Sequence, residues 1–178
     1  MSATSVPTPT TAPLRRRLAA LLYEGVLLFG VMMVAGWVYA ALTQQRHALQ
    51  GKIGLQLFLV VVLALYFTWF WTHGGQTLAM QTWRVRLLRA DGKPLGAARA
   101  LVRYALAWLW FVPGLLAAHL AGLTGGWPIA GVVIAGMAVY AATTRLQPDR
   151  QFPHDALCGT RLVDVPRDAG RQARSKRP

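Results

Sequence analysis

The sequence predicts an all-α membrane protein with four transmembrane helices and a small, strand-containing cap on the cytoplasmic side. Three observations support this fold class. The 178 residues are 54% hydrophobic and only 14% charged, whereas soluble domains carry about 25% charged residues. Four apolar segments have the length and composition of membrane spans. The basic residues gather in those segments that would share one side of a membrane, which is typical of cytoplasmic loops.

The first span is predicted at residues 18–42. It follows an uncharged stretch rich in Ser, Thr and Pro at residues 1–13, which we interpret as a disordered tail. The apolar run is interrupted by a single charge and is much longer than the core of a cleaved signal peptide, about 7–15 residues. A retained helix is therefore favoured over cleavage near Ala40-Ala41.

The second and third spans are predicted at residues 53–71 and 101–120. The second ends in a cluster of one tyrosine and two tryptophans, as expected where a helix meets lipid headgroups. The third has Arg103 near its start and Pro113 inside it. A proline at this position is expected to kink the helix, because it lacks the backbone N–H and clashes with the preceding turn.

The fourth span is predicted at residues 127–142 and is shorter. Its small residues Gly131, Ala135 and Gly136 are of the kind that allow two membrane helices to approach closely.

The distribution of basic residues predicts that both termini are cytoplasmic. Three of the 19 basic residues precede the first span, six lie between the second span and the start of the third, and eight follow the fourth. The net charge of +13 therefore mainly reflects the accumulation of basic residues on the cytoplasmic side. We also expect these residues to contact anionic lipids of the bilayer. We expect a bacterial-type inner membrane and no nucleic-acid partner, since charge alone is weak support for one.

The cytoplasmic segments contain two stretches that alternate like strands, residues 82–87 and 160–165. The first is followed by the turn signal Asp91-Gly92. We expect the two stretches to pair at the membrane surface. The last residues, 166–178, are basic and poor in apolar side chains, which predicts a second disordered tail.

Glu24 is the most unusual residue of the spans, because it is the only glutamate and the only acidic residue before Asp91. At about 1.5 Å per residue it lies roughly 9 Å inside a helix that enters the membrane at Leu18. Arg17, seven residues earlier, lies on nearly the same face two turns away. Two interpretations remain open. Glu24 pairs with a basic group and holds helices together, or it is an ion or proton site.

Two further segments carry polar residues. Residues 72–78 contain two glycines, which free the backbone, and Gln76 and Thr77, which could cap the next helix or line a polar cavity; an ordinary turn is the alternative. Residues 152–160 contain His154 and Asp155. We expect Asp155 to pair with Arg103 or Arg17 at the cytoplasmic mouth of the bundle.

No enzyme, metal site or cofactor is expected. The single cysteine, Cys158, has no base placed beside it, and no nucleophile turn is recognisable. The four histidines are scattered, and no cluster has metal-ligand spacing.

Taken together, these motifs resemble the RDD family of small membrane proteins over roughly residues 14–165. The motifs are the arginine at the entry of the first span with an acid seven residues later, the GGQT after the second span, the strand-like stretch ending in Asp-Gly, the Arg103-Tyr104 that opens the third span, and the terminal His-Asp-x-x-x-Gly-Thr. The family is named for one arginine and two aspartates. By motif, Arg17 is the arginine and Asp155 the second aspartate, while Glu24 replaces the first and lengthens the arm by one methylene. The resemblance implies a role in transport.

The sequence therefore predicts a multi-pass membrane protein that transports or exchanges a proton or a sodium ion, since a lone carboxylate with few polar neighbours cannot select a complex solute. Transport through only four spans would favour a homo-oligomer. The alternative is a non-transporting scaffold or assembly factor that acts through the basic loop and tail. The candidate residues form a polar cluster near the cytoplasmic face: Arg17, Glu24, Gln76, Arg103, His154 and Asp155.

Overall fold

The structure is a computed structural model that describes residues 10–44, 52–147 and 150–165. Four of its helical segments are long and apolar enough to cross a membrane, and each begins one to four residues before the predicted span. They are Leu14–Thr43, Lys52–Thr72, Ala97–Leu120 and Gly126–Leu146. The chain is thus mostly helical, as predicted, with a small two-stranded sheet.

The first two segments are the helices α1 (Leu14–Thr43) and α2 (Lys52–Thr72). Only the beginning of α1 is buried, at Arg17, Ala20 and Glu24. These positions are three or four residues apart, so they share one face of the helix. The rest of α1 exposes mostly apolar side chains, which is typical of a helix surrounded by lipid.

The third segment is broken rather than smoothly kinked. Helix α4 (Ala97–Ala107) is followed by a tighter 3₁₀ turn (Trp108–Trp110) and then by α5 (Val112–Leu120). Pro113 lies in the first turn of α5, where a backbone N–H would have no partner within the helix. The predicted distortion of the third segment is therefore confirmed, and it takes the form of a break just before Pro113.

Helices α5 and α6 (Gly126–Ala142) pack with their backbones in contact. A Cβ atom added at Gly136 would lie 2.5 Å from the backbone nitrogen of Gly114. The predicted packing role is thus confirmed for Gly136. The same prediction was wrong for Gly131, where an added Cβ would meet no atom within 4 Å. It was also wrong for Ala135, whose side chain is exposed.

A cap closes one end of these helices. It consists of α3 (Leu78–Thr82), strand β1 (Val85–Arg89), α7 (Pro153–Leu157) and strand β2 (Thr160–Asp164). The strands pair antiparallel with Leu87 opposite Leu162, which confirms the predicted pairing. The first strand begins later than predicted, because Thr82 ends α3 and Arg84 adopts a left-handed conformation (φ 54°) that lies outside the extended region of a regular strand.

The chain before α1 covers the free edge of β2. Ala12 donates its backbone N–H to the carbonyl oxygen of Leu162 (3.0 Å), and its side chain is fully buried. Residues 10–13 of the predicted N-terminal tail are therefore part of the fold. Residues 1–9 and the predicted tail at 166–178 lie outside the described residues.

The main hydrophobic core lies where the helix ends meet the cap. Aromatic rings from different elements join there: the Trp110 ring lies 5.2 Å from that of Tyr140 and 5.0 Å from that of Phe152. Most of the buried polar side chains lie at this same end of the helices, so densely packed side chains surround them.

Candidate functional site

Five of the six predicted site residues are buried, and all five lie at the cap end of the helices. A charged side chain is almost never buried without a partner. The hydrogen bonds of these five residues therefore determine whether each one is free to bind a ligand. The exposed fractions are 4% for Arg17, 6% for Glu24, 6% for Arg103, 2% for His154 and 0% for Asp155. The sixth residue, Gln76, is half-buried.

Asp155 pairs with Arg103, one of the two partners that the sequence suggested. The Nε and Nη2 atoms of Arg103 both donate to Oδ1 of Asp155, at 2.8 and 2.7 Å. The guanidinium lies over the Trp71 ring, 4.2 Å from its centroid. Oδ2 of Asp155 is buried and has no hydrogen-bond partner among the described residues. The pair joins α4 to α7, and its two charges neutralise each other.

His154 is a neutral packing residue beside this pair. The hydroxyl of Tyr140 accepts a hydrogen bond from the backbone N–H of His154 (3.2 Å), so its own hydrogen is assigned to Nδ1 of the ring (2.9 Å) and the ring proton to Nε2. The ring stacks between Phe152 and Tyr140, with centroids 5.6 and 6.0 Å away. Burial lowers the pKa of His154 to about 4, although the neighbouring Asp155 raises it.

Arg17 has no carboxylate partner among the described residues. Its Nη2 atom donates to the backbone carbonyl of Arg150 (2.7 Å), and its guanidinium lies over the Phe152 ring, 4.8 Å from the centroid. The Nε and Nη1 atoms are buried, and neither has a hydrogen-bond partner in the described part of the chain. Arg17 therefore holds α1 against the loop after α6 while its charge stays without a direct counter-ion.

Glu24 is bound by two hydroxyl groups. Tyr66 of α2 donates to Oε1 (2.7 Å), and Thr77 donates to Oε2. No ion pair reaches Glu24 within residues 10–44, 52–147 and 150–165. The structural interpretation of Glu24 assumed a basic partner, whereas the observed partners are uncharged.

Residues 74–77, the GGQT motif, form the link between β1 and Glu24. The side-chain amide of Gln76 donates to the backbone carbonyl of Val85 (2.8 Å), so it contacts β1 and lies outside the polar cluster. The next residue, Thr77, is fully buried and reaches Glu24. Thr77 caps α3, one of the two roles that the sequence suggested for it, but its contact with Glu24 was missed, and so was Tyr66. The usable signal was that each hydroxyl lies beside or within an apolar segment, where it needs a partner.

The predicted cluster is therefore two networks with Arg17 between them. One is the Arg103–Asp155 pair with His154, and the other is Glu24 with its two hydroxyls. The second network offers only oxygen atoms, which suit a proton or a hard cation. Within the described residues, no group of three or more His, Cys, Asp or Glu side chains could hold a metal ion.

Comparison with known families agrees with the motifs. The model of the RDD family matches residues 11–159, a range that includes Arg17, Glu24 and Asp155. No curated protein and no solved structure matches the chain. Because the family match spans most of the 178 residues, the chain belongs to the RDD family.

Proposed function

We propose that this RDD protein crosses a bacterial-type inner membrane four times, with the cap and both termini in the cytoplasm. The support is the charge distribution: 17 of the 19 basic residues then lie on one side. Exposed arginines at this end of the protein, such as Arg86 of β1 and Arg99 of α4, would face anionic lipid headgroups.

We further propose that the protein exchanges a small cation, a proton or Na⁺, at Glu24. The observation that carries this proposal is a buried intramembrane carboxylate whose partners are hydroxyl groups and not a cation. An isolated buried carboxylate is costly, and it is relieved when a proton or a cation binds. Since the same oxygens would hold either species, the two would compete, and competition at one site is the basis of exchange.

The surrounding charges favour this use of Glu24. Asp155 is neutralised by Arg103, so it is not free to bind a second cation. Arg17 lies about 10 Å from Glu24 along α1 at 1.5 Å per residue, and its bond to the Arg150 carbonyl keeps it from occupying the carboxylate. Glu24 thus has a positive charge on the same helix that does not pair with it, and among the described residues its oxygens are held by hydroxyl groups alone.

The test is flux in liposomes that contain the purified full-length chain and carry a pH or Na⁺ gradient. We expect cation-dependent proton flux from the wild-type protein and none from Glu24→Gln, which removes the charge and keeps the shape. Asp91→Asn is the matched control, because it removes one carboxylate from the exposed turn after β1. Equal flux from the wild-type protein and Glu24→Gln would end the proposal.

The alternative function is a scaffold or assembly factor that acts through the basic cytoplasmic surface. One observation favours it: both oxygens of Glu24 already accept a hydrogen bond, as a purely structural carboxylate would. In that case Glu24→Gln lowers the thermal stability of the protein, and the liposomes show no flux with either form.

We also propose that the chain is not an enzyme and needs no cofactor. Cys158 is buried, and burial raises the pKa of its thiol, so little of the nucleophilic thiolate is present at neutral pH. A transport function would favour a homo-oligomer, because four spans leave little room for a pathway.

A further inference from the structure

We propose that Thr77 is a ligand of the cation at Glu24, and that Gln76 positions Thr77 by tying its segment to β1. This inference rests on the proposed function and adds the residues that determine its cation specificity. Its starting point is that residues 74–77 connect the cap to Glu24 through hydrogen bonds at successive positions.

The position of Thr77 is fixed from two sides. Thr77 is the residue that precedes α3, and its Oγ1 accepts a hydrogen bond from the backbone N–H of Met80 (3.3 Å). The same Oγ1 donates its hydrogen to Glu24. A hydroxyl has one hydrogen and two lone pairs, so one lone pair of Thr77 stays available at the carboxylate.

This arrangement allows one site to serve three states of Glu24. When the carboxylate is ionised, the hydroxyls of Thr77 and Tyr66 both donate to it. When it is protonated, one hydroxyl turns and accepts the acidic hydrogen. When a cation is bound, the hydroxyls turn so that their lone pairs face the metal. Rotation about a C–O bond is sufficient for the change of protonation, whereas a bound cation also requires the oxygen atoms to move apart to admit it.

The segment before Thr77 is held against β1. Gly75 accepts a hydrogen bond at its carbonyl from the backbone N–H of Leu87 (2.7 Å), in a left-handed conformation (φ 72°). A Cβ at Gly75 would lie 2.4 Å from the carbonyl oxygen of Leu87, so only glycine allows this approach. The Gln76 amide adds the hydrogen bond to the carbonyl of Val85. The chain is therefore fixed to β1 at the two residues that directly precede Thr77.

The decisive experiment measures Na⁺-dependent proton flux by the full-length chain in liposomes, together with stabilisation by Na⁺ in thermal melts. Thr77→Val, which keeps the shape and removes the hydroxyl, is expected to raise the KM for Na⁺ about tenfold, the effect of one lost polar ligand. Thr77→Ser keeps the hydroxyl and should restore the wild-type KM. Thr72→Val is the matched control, because the Thr72 hydroxyl donates to the carbonyl of Thr68 and not to Glu24.

Gln76→Leu tests the positioning role. It keeps the Thr77 side chain itself unchanged but removes the side-chain bond that ties its segment to β1, so we expect a higher KM for Na⁺ with an unchanged maximal rate. Gln81→Leu, at an exposed position of α3, should change neither.

Two results would overturn the inference. If Thr77→Val and Thr77→Ser behave alike while Glu24→Gln abolishes flux, Thr77 is not a ligand, although the proposed function stands. If the wild-type protein shows neither Na⁺-dependent flux nor stabilisation by Na⁺, the cation site and the role of Thr77 fail together.

Discussion

Two arginine–aspartate pairs of the same chemistry lie in opposite environments. The side chains of Arg103 and Asp155 are 8% and 0% exposed, whereas those of Arg16 and Asp164 are 37% and 28% exposed. An exposed pair is screened by solvent and contributes little to stability. A buried pair need not add net stability, but removing one partner leaves an uncompensated charge in a medium of low dielectric constant.

Loss of the buried carboxylate should therefore be far more damaging than loss of the exposed one. We expect Asp155→Asn to lower the free energy of unfolding by about 3–5 kcal/mol. Asp164→Asn should lower it by less than about 1 kcal/mol. Denaturant unfolding of the purified protein in detergent measures both values. Equal losses would show that the burial of Asp155 does not determine its contribution.

His154 should make stability depend on pH. Its pKa is about 4 in the folded protein, because burial lowers it from an ordinary value of 6.5. The unfolded chain therefore binds a proton below pH 6.5 that the folded chain does not bind until about pH 4. The stabilisation is complete above pH 6.5 and is lost as the pH falls toward 4, by about 3 kcal/mol at most.

The measurement is the melting temperature at pH 7.5, 6 and 5 for the wild-type protein and for His154→Gln. The charged and titratable groups that face the ring are Asp155, Arg103 and the Tyr140 hydroxyl, and they are unchanged in the variant. The decline with acid should be shallower in His154→Gln. Parallel declines would mean that another group causes the pH dependence.

At the scale of elements, the contact between α5 and α6 depends on glycine at two positions. A Cβ at Gly136 would lie 2.5 Å from the nitrogen and 2.6 Å from the Cα of Gly114. Backbone atoms cannot rotate away as a side chain can, so the helices would have to separate. We expect Gly136→Ala to cost about 1–3 kcal/mol, the usual effect of overpacking.

Gly131→Ala is the matched control on the same helix. It meets no atom within 4 Å, and alanine has a higher helix propensity than glycine by about 1 kcal/mol. The melting temperature should stay the same or rise slightly. A loss of stability as large as that of Gly136→Ala would place an unrecognised contact at Gly131.

The sequence predicted elements well where a single local signal determines them. Apolar runs located all four long helical segments, and alternation of side chains revealed the pairing of β1 with β2. Prediction from the sequence failed where a contact between residues remote in the chain determines the local structure. The outward direction of Gly131 depends on how α6 packs, and the order at Ala12 depends on pairing with Leu162, which is remote in the chain.

At the scale of the whole molecule, the sequence singled out the charged residues that are buried but did not indicate how they are grouped. Arg17, Glu24, Arg103 and Asp155 are all buried, yet Arg103 pairs with Asp155, Glu24 bonds to hydroxyl groups, and Arg17 bonds to neither carboxylate. Thr77 determines this grouping, because the GGQT segment places its hydroxyl against Glu24. Periodicity along α1 places Arg17 and Glu24 on one face, but it contains no information on a hydroxyl that arrives from another part of the chain.

Membrane topology is the property on which the direction of any cation exchange depends. Residues 121–125, between α5 and α6, contain no charge, whereas the region from Arg84 to Arg103 carries six basic residues. Transferring that many basic side chains across a bilayer is unfavourable, so we expect the cap in the cytoplasm.

Thr124 and Asp91 are exposed positions that report on the two sides of the membrane, and the native Cys158 is buried. In intact cells that produce the chain, Thr124→Cys should react with a membrane-impermeant maleimide. Asp91→Cys should react only after the membrane has been opened, and the wild-type chain should give little background in either case. The reverse pattern would invert the topology, and Glu24 would then face the outside of the cell through the cap end of the helices.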